Sequence, residues 1–196
     1  MPEQALSDVK VLDFTHHVAG PYCTKLLADY GAEVVKVERP DGGDPSRRMG
    51  PFPEDIPHGE KSGLFLHLNT NKRGITLDLN TQAAVNIVKE LIKETDLVVE
   101  SFRPGSMERF GLDYASLKEI NPRLVMTSIS NFGQTGPYRD FRAAEIMFYG
   151  MGGEMYSTGQ RDREPLKMAA NVVLYQAGAA AVVATMGAVY AAMGQG

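Results

Sequence analysis

The chain has 196 residues, enough for one domain or one and a fraction. Hydrophobic residues make up 43% and charged residues 22%, which excludes a disordered, collagen-like or coiled-coil chain. The formal net charge is −4 and no basic run breaks it, which argues against a nucleic-acid partner.

Val9 to Phe14 is a short apolar run and reads as a buried strand. Gly20-Pro21 opens a segment with Cys23, Leu26, Leu27 and Tyr30 at helical spacing, and Gly31 stops it. Glu33 to Glu38 reads as a second strand, so residues 9–38 form a right-handed, parallel strand–helix–strand unit. Residues 39–63 are rich in proline and read as loop. Ile75 to Leu79 alternates as a strand. Thr81 caps a helix over about 82–94, and Leu97 to Glu100 is a strand. A short helix begins at Pro104 to Ser106, another covers Tyr114 to Ile120, and Leu124 to Ile129 is again a strand. Met147, Met151 and Met155 fall at helical spacing and read as packing. Alternating strands and helices predict an α/β fold, a mostly parallel sheet with helices on both faces.

Cys23 is the only cysteine, so no internal disulfide can form, and its apolar helical face makes it a core residue. The N-terminus lacks a basic segment followed by an apolar one, so no signal peptide is expected and the cytoplasm is the expected location. Met168 to Gly196 holds no charged residue. Val172 to Met193 is long enough to span a bilayer. Its Ala, Val and Gly content favours a helix buried on all sides by protein. The chain ends where a partner layer should follow, which reads as a truncated chain or half of an interlocked assembly.

In open parallel sheets ligands bind beyond the C-terminal ends of the strands. There the sequence reads Thr15-His-His-Val-Ala-Gly-Pro21, Glu38-Arg39-Pro40, Ser101-Phe-Arg-Pro-Gly105 and Asn131-Phe-Gly-Gln-Thr-Gly-Pro137. Helix starts and basic side chains in such loops suit a phosphate-bearing ligand. Glu38 sits where an acidic residue would hold a nicotinamide cofactor's ribose. The first loop, however, has one glycine and two histidines in place of G-x-G-x-x-G, which argues against a dinucleotide.

The string from Asp13 to Pro40 resembles the opening of the family III CoA-transferases, the CaiB–BaiF family. So do Asn71 to Leu79, Val99 to Gly105, and Asn121 to Val125 running into Asn131 to Tyr138. The resemblance covers most of residues 9–196 and only the N-terminal part of the family's longer chain. It implies a Rossmann-like large domain in two interlocked subunits, with residues 1–196 a partial, CoA-binding large domain and the small domain and C-terminal return absent. It implies CoA contacts at His16, His17 and Val18, Arg39 near the adenine, and Lys72 near the phosphates. Ser101, Ser106, Arg109 and Phe110 would line the pocket around nucleotide or pantetheine. Arg39, Lys72, Arg73, Arg103 and Arg109 offer fixed positive charge to an anionic ligand. Each has a plainer alternative. His16 and His17 can close the strand end, Arg103 and Arg109 can be solvated ion pairs, and Lys72-Arg73 can be an exposed turn.

The family's central residue is an aspartate whose carboxylate attacks the acyl-CoA thioester. In Pro165-Leu-Lys-Met-Ala-Ala-Asn-Val-Val-Leu-Tyr-Gln-Ala-Gly178 that position holds Leu174, and the last acidic residue of the chain is Glu164. The racemases of the family place a histidine at what is Ala144 here. The catalytic residue is thus unassigned. Glu145 is the weak candidate, as a general base or, preferably, as a helix-start charge. The resemblance therefore implies a CoA-transferase moving CoA between an acyl-CoA and a carboxylic acid. This chain would be a non-catalytic CoA-binding subunit in a homo- or hetero-oligomer with an Asp-bearing paralogue, as in heteromeric members. A methylacyl-CoA racemase-like isomerase and a truncated inactive fragment are the alternatives. No permanently bound cofactor, metal or membrane is expected; coenzyme A enters as substrate.

Overall fold

The computed structural model describes residues 4–194. Strands β1 (Lys10–Phe14), β2 (Glu33–Glu38), β3 (Lys72–Thr76), β4 (Leu97–Glu100) and β5 (Val125–Ser128) form one sheet. Its order is β3-β2-β1-β4-β5, and every pairing is parallel. Asp13 of β1 stands between Lys36 of β2 and Val99 of β4.

Side chains alternate between the two faces of the sheet. On one face, Val11, Val34, Leu97 and Val99 pack with Cys23 and Leu27 of α1 (Ala19–Asp29) and Val189 of α8 (Val172–Met193). On the other, Leu12, Phe14 and Val98 meet α3 (Gln82–Ile92), α4 (Ser106–Phe110) and α5 (Tyr114–Ile120) through Val88, Ile92, Met107 and Leu117. Each fully buried aliphatic side chain contributes about 1.5–3 kcal/mol. Local signals set the helix ends. Thr81 and Asp113 accept backbone N–H bonds as caps of α3 and α5. Gly31, at φ 106, turns the chain out of α1.

Four expectations change. The third strand is Lys72–Thr76 instead of Ile75 to Leu79. Its partner β2 ends at Glu38, whose carbonyl takes the last bond from the Leu77 N–H, so the alternating residues beyond have nothing to pair with. The helical methionines do not form a packed stripe. α6 (Glu145–Met151) stops at Gly152-Gly153 before α7 (Glu154–Ser157), and Met147 and Met151 are exposed. A further helix, α2 (Gly63–Leu68), follows the loop and is capped by Ser62.

The last correction concerns α8. It is long and apolar enough to cross a membrane. It packs on α1 so closely that a Cβ at Gly178 would lie 2.4 Å from the Ala19 carbonyl oxygen. The Thr185 hydroxyl pairs with that of Thr127 on β5 at 2.8 Å. Yet only Gly178, Thr185 and Val189 are buried, while Val183 and Tyr190 are 73% and 80% exposed. The helix is covered on one side, not all round. Its hydrophobicity is spread around the whole circumference, so the sequence carries no stripe to say which side faces the sheet.

Candidate functional site

The central strands β1 and β4 are neighbours in space but not in sequence. The chain leaves β1 through α1 on one face and reaches β4 through α3 on the other. The crevice at their C-terminal ends is the topological switch point, where open α/β sheets bind ligands.

The two loops that rim this crevice are tied together. The His16 N–H donates to Ser101 Oγ at 2.8 Å. The His16 ring tilts against Phe102 at 5.3 Å between centroids, and Phe102 meets Phe110 edge-on at 6.0 Å. The Arg109 guanidinium reaches back to the hydroxyl of Ser106 at 3.3 Å and lies 6.0 Å from the Phe110 ring. His16, Ser101, Ser106, Arg109 and Phe110 therefore form one linked row, with Phe102 at its centre. Burial pushes the His16 imidazole below its ordinary value, so it is neutral at pH 7 and offers one donor and one acceptor. Such a row of aromatic faces, hydroxyls and one guanidinium can take an anionic ligand with an apolar arm.

The remaining expected residues are placed differently. His17 is exposed, with its backbone at φ 66. Arg39 is exposed, and only its Nε is engaged, with the Gly43 carbonyl at 3.3 Å. Val18 begins α1 with its side chain 1% exposed, so it can present only backbone. Arg103 is exposed and faces an open cavity of about 820 Å³ along the outer edge of β5, lined also by Gly105, Met126, Gln134 and Ala188. Lys72 is a correction. Its side chain is 1% exposed beneath α1, and its ammonium is 3.0 Å from Asp13 Oδ2. The same ammonium donates to the Pro21 carbonyl, Thr24 Oγ1 and Asn69 Oδ1. A lysine with its three protons so committed has none to give a phosphate. Arg73, in the same strand, pairs with Glu33 at 2.8 Å on the surface. Glu38 is also spent. Both its oxygens accept from Arg47 at 2.8 Å, and Oε2 also takes the Asp44 N–H, which leaves no carboxylate for a ribose.

Beneath the crevice lie buried charges that the sequence reading did not single out. Asp13, Lys36 and Asp44 are each no more than 2% exposed. Lys36 Nζ stands 2.9 Å from Asp44 Oδ2 and donates to the Thr15 carbonyl at 2.8 Å. Asp13 accepts from the Thr15 N–H and the Thr24 hydroxyl as well as from Lys72. Burial works against its charge, but Lys72 and Lys36 hold the Asp13 carboxyl well below the usual range. Burial conversely pushes Lys72 down to about 8 against the pull of Asp13. At the end of β4, burial raises Glu100 above its ordinary value although Ser128 and the Phe102 N–H hold its charge. Cys23 is a buried core residue with its thiol pushed up to about 12, too high for a nucleophile.

The start of α8 supplies the last element. Leu174 sits half-buried in its first turn. Asn171 caps nothing with its side chain; instead Glu145 Oε1 accepts the Val173 N–H at 2.9 Å. Glu145 thus begins α6 and caps α8, a role its place in the sequence does not reveal. Its Oε2 is buried with no partner among the described residues.

Comparison with known proteins finds relatives of the chain in sequence and in fold. The sequence model described as CoA-transferase family III covers residues 6–196. The succinate–glutarate CoA-transferase of Agrobacterium fabrum is 39% identical over 97% of this chain and 48% of its own length. A formyl-CoA:oxalate CoA-transferase of Streptomyces avermitilis is 41% identical over 95% of this chain and 44% of its own. The crystal structure of a CaiB/BaiF family protein from Brucella suis superposes with a TM-score of 0.88 at 38% identity, over 95% of this chain and 49% of that one. The chain spans about half the length of the curated relatives it matches.

Proposed function

The chain belongs to CoA-transferase family III, and on that premise we propose that it is the CoA-binding part of an enzyme that moves CoA between an acyl-CoA and a carboxylic acid. The observation that carries this reading is the row His16–Phe102–Phe110 with Ser101, Ser106 and Arg109 at the switch point. The adenine and pantetheine of CoA are long and partly apolar, and the row offers them ring faces and hydroxyls. Arg109, with Arg39 and His17 at the rim, offers donors to the phosphates. The two relatives' names include the small carboxylates succinate, glutarate and oxalate, and we carry that substrate class over.

The same reading gives the chain no nucleophile of its own. A leucine has neither lone pair nor proton to exchange, and Leu174 occupies the position that the resemblance assigns to the aspartate. The carboxylate then comes from another polypeptide, an Asp-bearing paralogue assembled with this one. Location in the cytoplasm goes with this reading.

A second reading rests on Glu145, whose free oxygen lies beside the turn that holds Leu174. It makes Glu145 the acid/base or nucleophilic group of a self-sufficient enzyme. Native mass spectrometry of the chain with CoA, followed by an assay of CoA transfer to succinate or oxalate, separates the two. CoA retained without transfer, and transfer only after an Asp-bearing partner is added, is the expected result. Transfer by the chain alone, abolished in Glu145→Gln, would establish the second reading. A chain that retains no CoA sinks both.

A further inference from the structure

His17 holds a backbone conformation that side chains rarely adopt, at φ 66. Histidine tolerates the left-handed region better than most residues, but something must hold it there. Its N–H donates to Asp44 Oδ1 at 3.1 Å, across 27 residues of chain. Two residues earlier the same loop is held from the other side, where Lys36 Nζ takes the Thr15 carbonyl at 2.8 Å. Lys36 and Asp44 are themselves an ion pair at 2.9 Å, and both are buried. One closed pair therefore grips the first loop at two backbone points, Thr15 and His17.

Asp44 is in turn immobilised. Its Oδ1 accepts from the Ser46 N–H and hydroxyl, each at 2.8 Å. Its own N–H donates to Oε2 of the Glu38 carboxylate, and Arg47 holds that carboxylate with one bond to each oxygen. The Arg47 guanidinium lies 3.7 Å from the Phe65 ring centroid. The support runs from α2 through Arg47 and Glu38 to Asp44 and ends on the His17 backbone.

We propose that Asp44, with Lys36 as its counter-charge, is the positioning residue of the site. It holds Thr15–His17 in the ligand-ready turn and thereby sets the affinity for CoA without touching it. This rests on the CoA reading of the first loop. A buried ion pair is weak evidence of stabilisation by itself, because apolar replacements of such pairs are often neutral. This one adds two backbone bonds to a strained loop, and that is a role in geometry. A loop that visits its binding conformation one time in ten binds about tenfold more weakly.

The test uses Asp44→Ala and the charge-balanced double variant Lys36→Met/Asp44→Ala. The double variant leaves no unpaired buried charge and folds even where the single one fails. Two quantities are read: amide hydrogen exchange of His17 by NMR, and CoA affinity by calorimetry. The surface change Glu94→Gln is the control and alters neither. His17 exchange rises and CoA binding weakens by about tenfold, while the double variant melts near the unaltered chain. Unchanged exchange at His17 overturns the clamp. Freed exchange with undiminished CoA affinity overturns the positioning role. An unaltered chain that binds no CoA, with His17 freed in the variants, keeps the clamp and overturns the CoA reading instead.

Discussion

The first fifty residues and the last thirty solve the same problem in opposite ways. In the first, Asp13, Lys36 and Asp44 are buried, and with Lys72 brought in from β3 every one of these charges meets its opposite within 3.0 Å. In the last, α8 carries no charge at all and leaves Val183 and Tyr190 open to solvent. The contrast teaches where specificity lies. A buried charge accepts one set of partners, so the loops around it have one geometry. An Ala- and Val-rich helix accepts many neighbours, and its place is fixed only where Gly178 and Thr185 make close contact.

The sharpest way to break the first region is Asp13→Ala. It strands Lys72 in a buried site, and loss of one partner of a buried pair costs about 3–5 kcal/mol. Urea unfolding is expected to shift by that much, and a shift below about 1 kcal/mol would mean that water or a rearranged side chain compensates. Acid is the next largest perturbation. Asp13, Asp44 and Glu38 all ionise more easily folded than unfolded. The unfolded chain therefore binds more protons as pH falls through the ordinary aspartate value of 3.8, and stability falls with pH. The contribution of these groups is complete above about pH 5 and is lost progressively below it. A urea midpoint that stays flat from pH 6 to about pH 3 would contradict this. The smallest expected effect lies on the other side of the comparison. Val183→Ser with Tyr190→Ser changes folding by no more than about 0.5 kcal/mol, because both side chains are already exposed. The same pair lowers self-association, read by light scattering, by removing part of an exposed apolar face.

Much of the scaffold was legible. β2, β4, α5 and α8 lie where apolar runs and their spacing place them, and Gly31 marks the turn into β2. β3 was misplaced because strand length depends on the partner, and β2 runs out at Glu38. The row at the switch point was legible through resemblance, not spacing, since His16 and Ser101 are 85 residues apart. Lys72 was placed near the phosphates by resemblance, and nothing local announces the buried Asp13 that draws it inward. Asp44 followed by Pro45 looks like an ordinary turn, and Glu145 like an ordinary helix start. Both act on backbone groups 27 or 28 residues away.

By itself the sequence determined the α/β class, the parallel pairing implied by its crossovers, the core alternation and the absence of an acidic residue at position 174. These depend on nearest neighbours along the chain, where hydrophobic period and turn chemistry act. Only the tertiary structure decided which charges are buried, which face of α8 is covered, and which cations are free to meet a ligand. Desolvation and pairing are properties of what surrounds a group in space. Lys72 and Arg109, both simply basic in the sequence, end as a buried strut and an open donor for that reason.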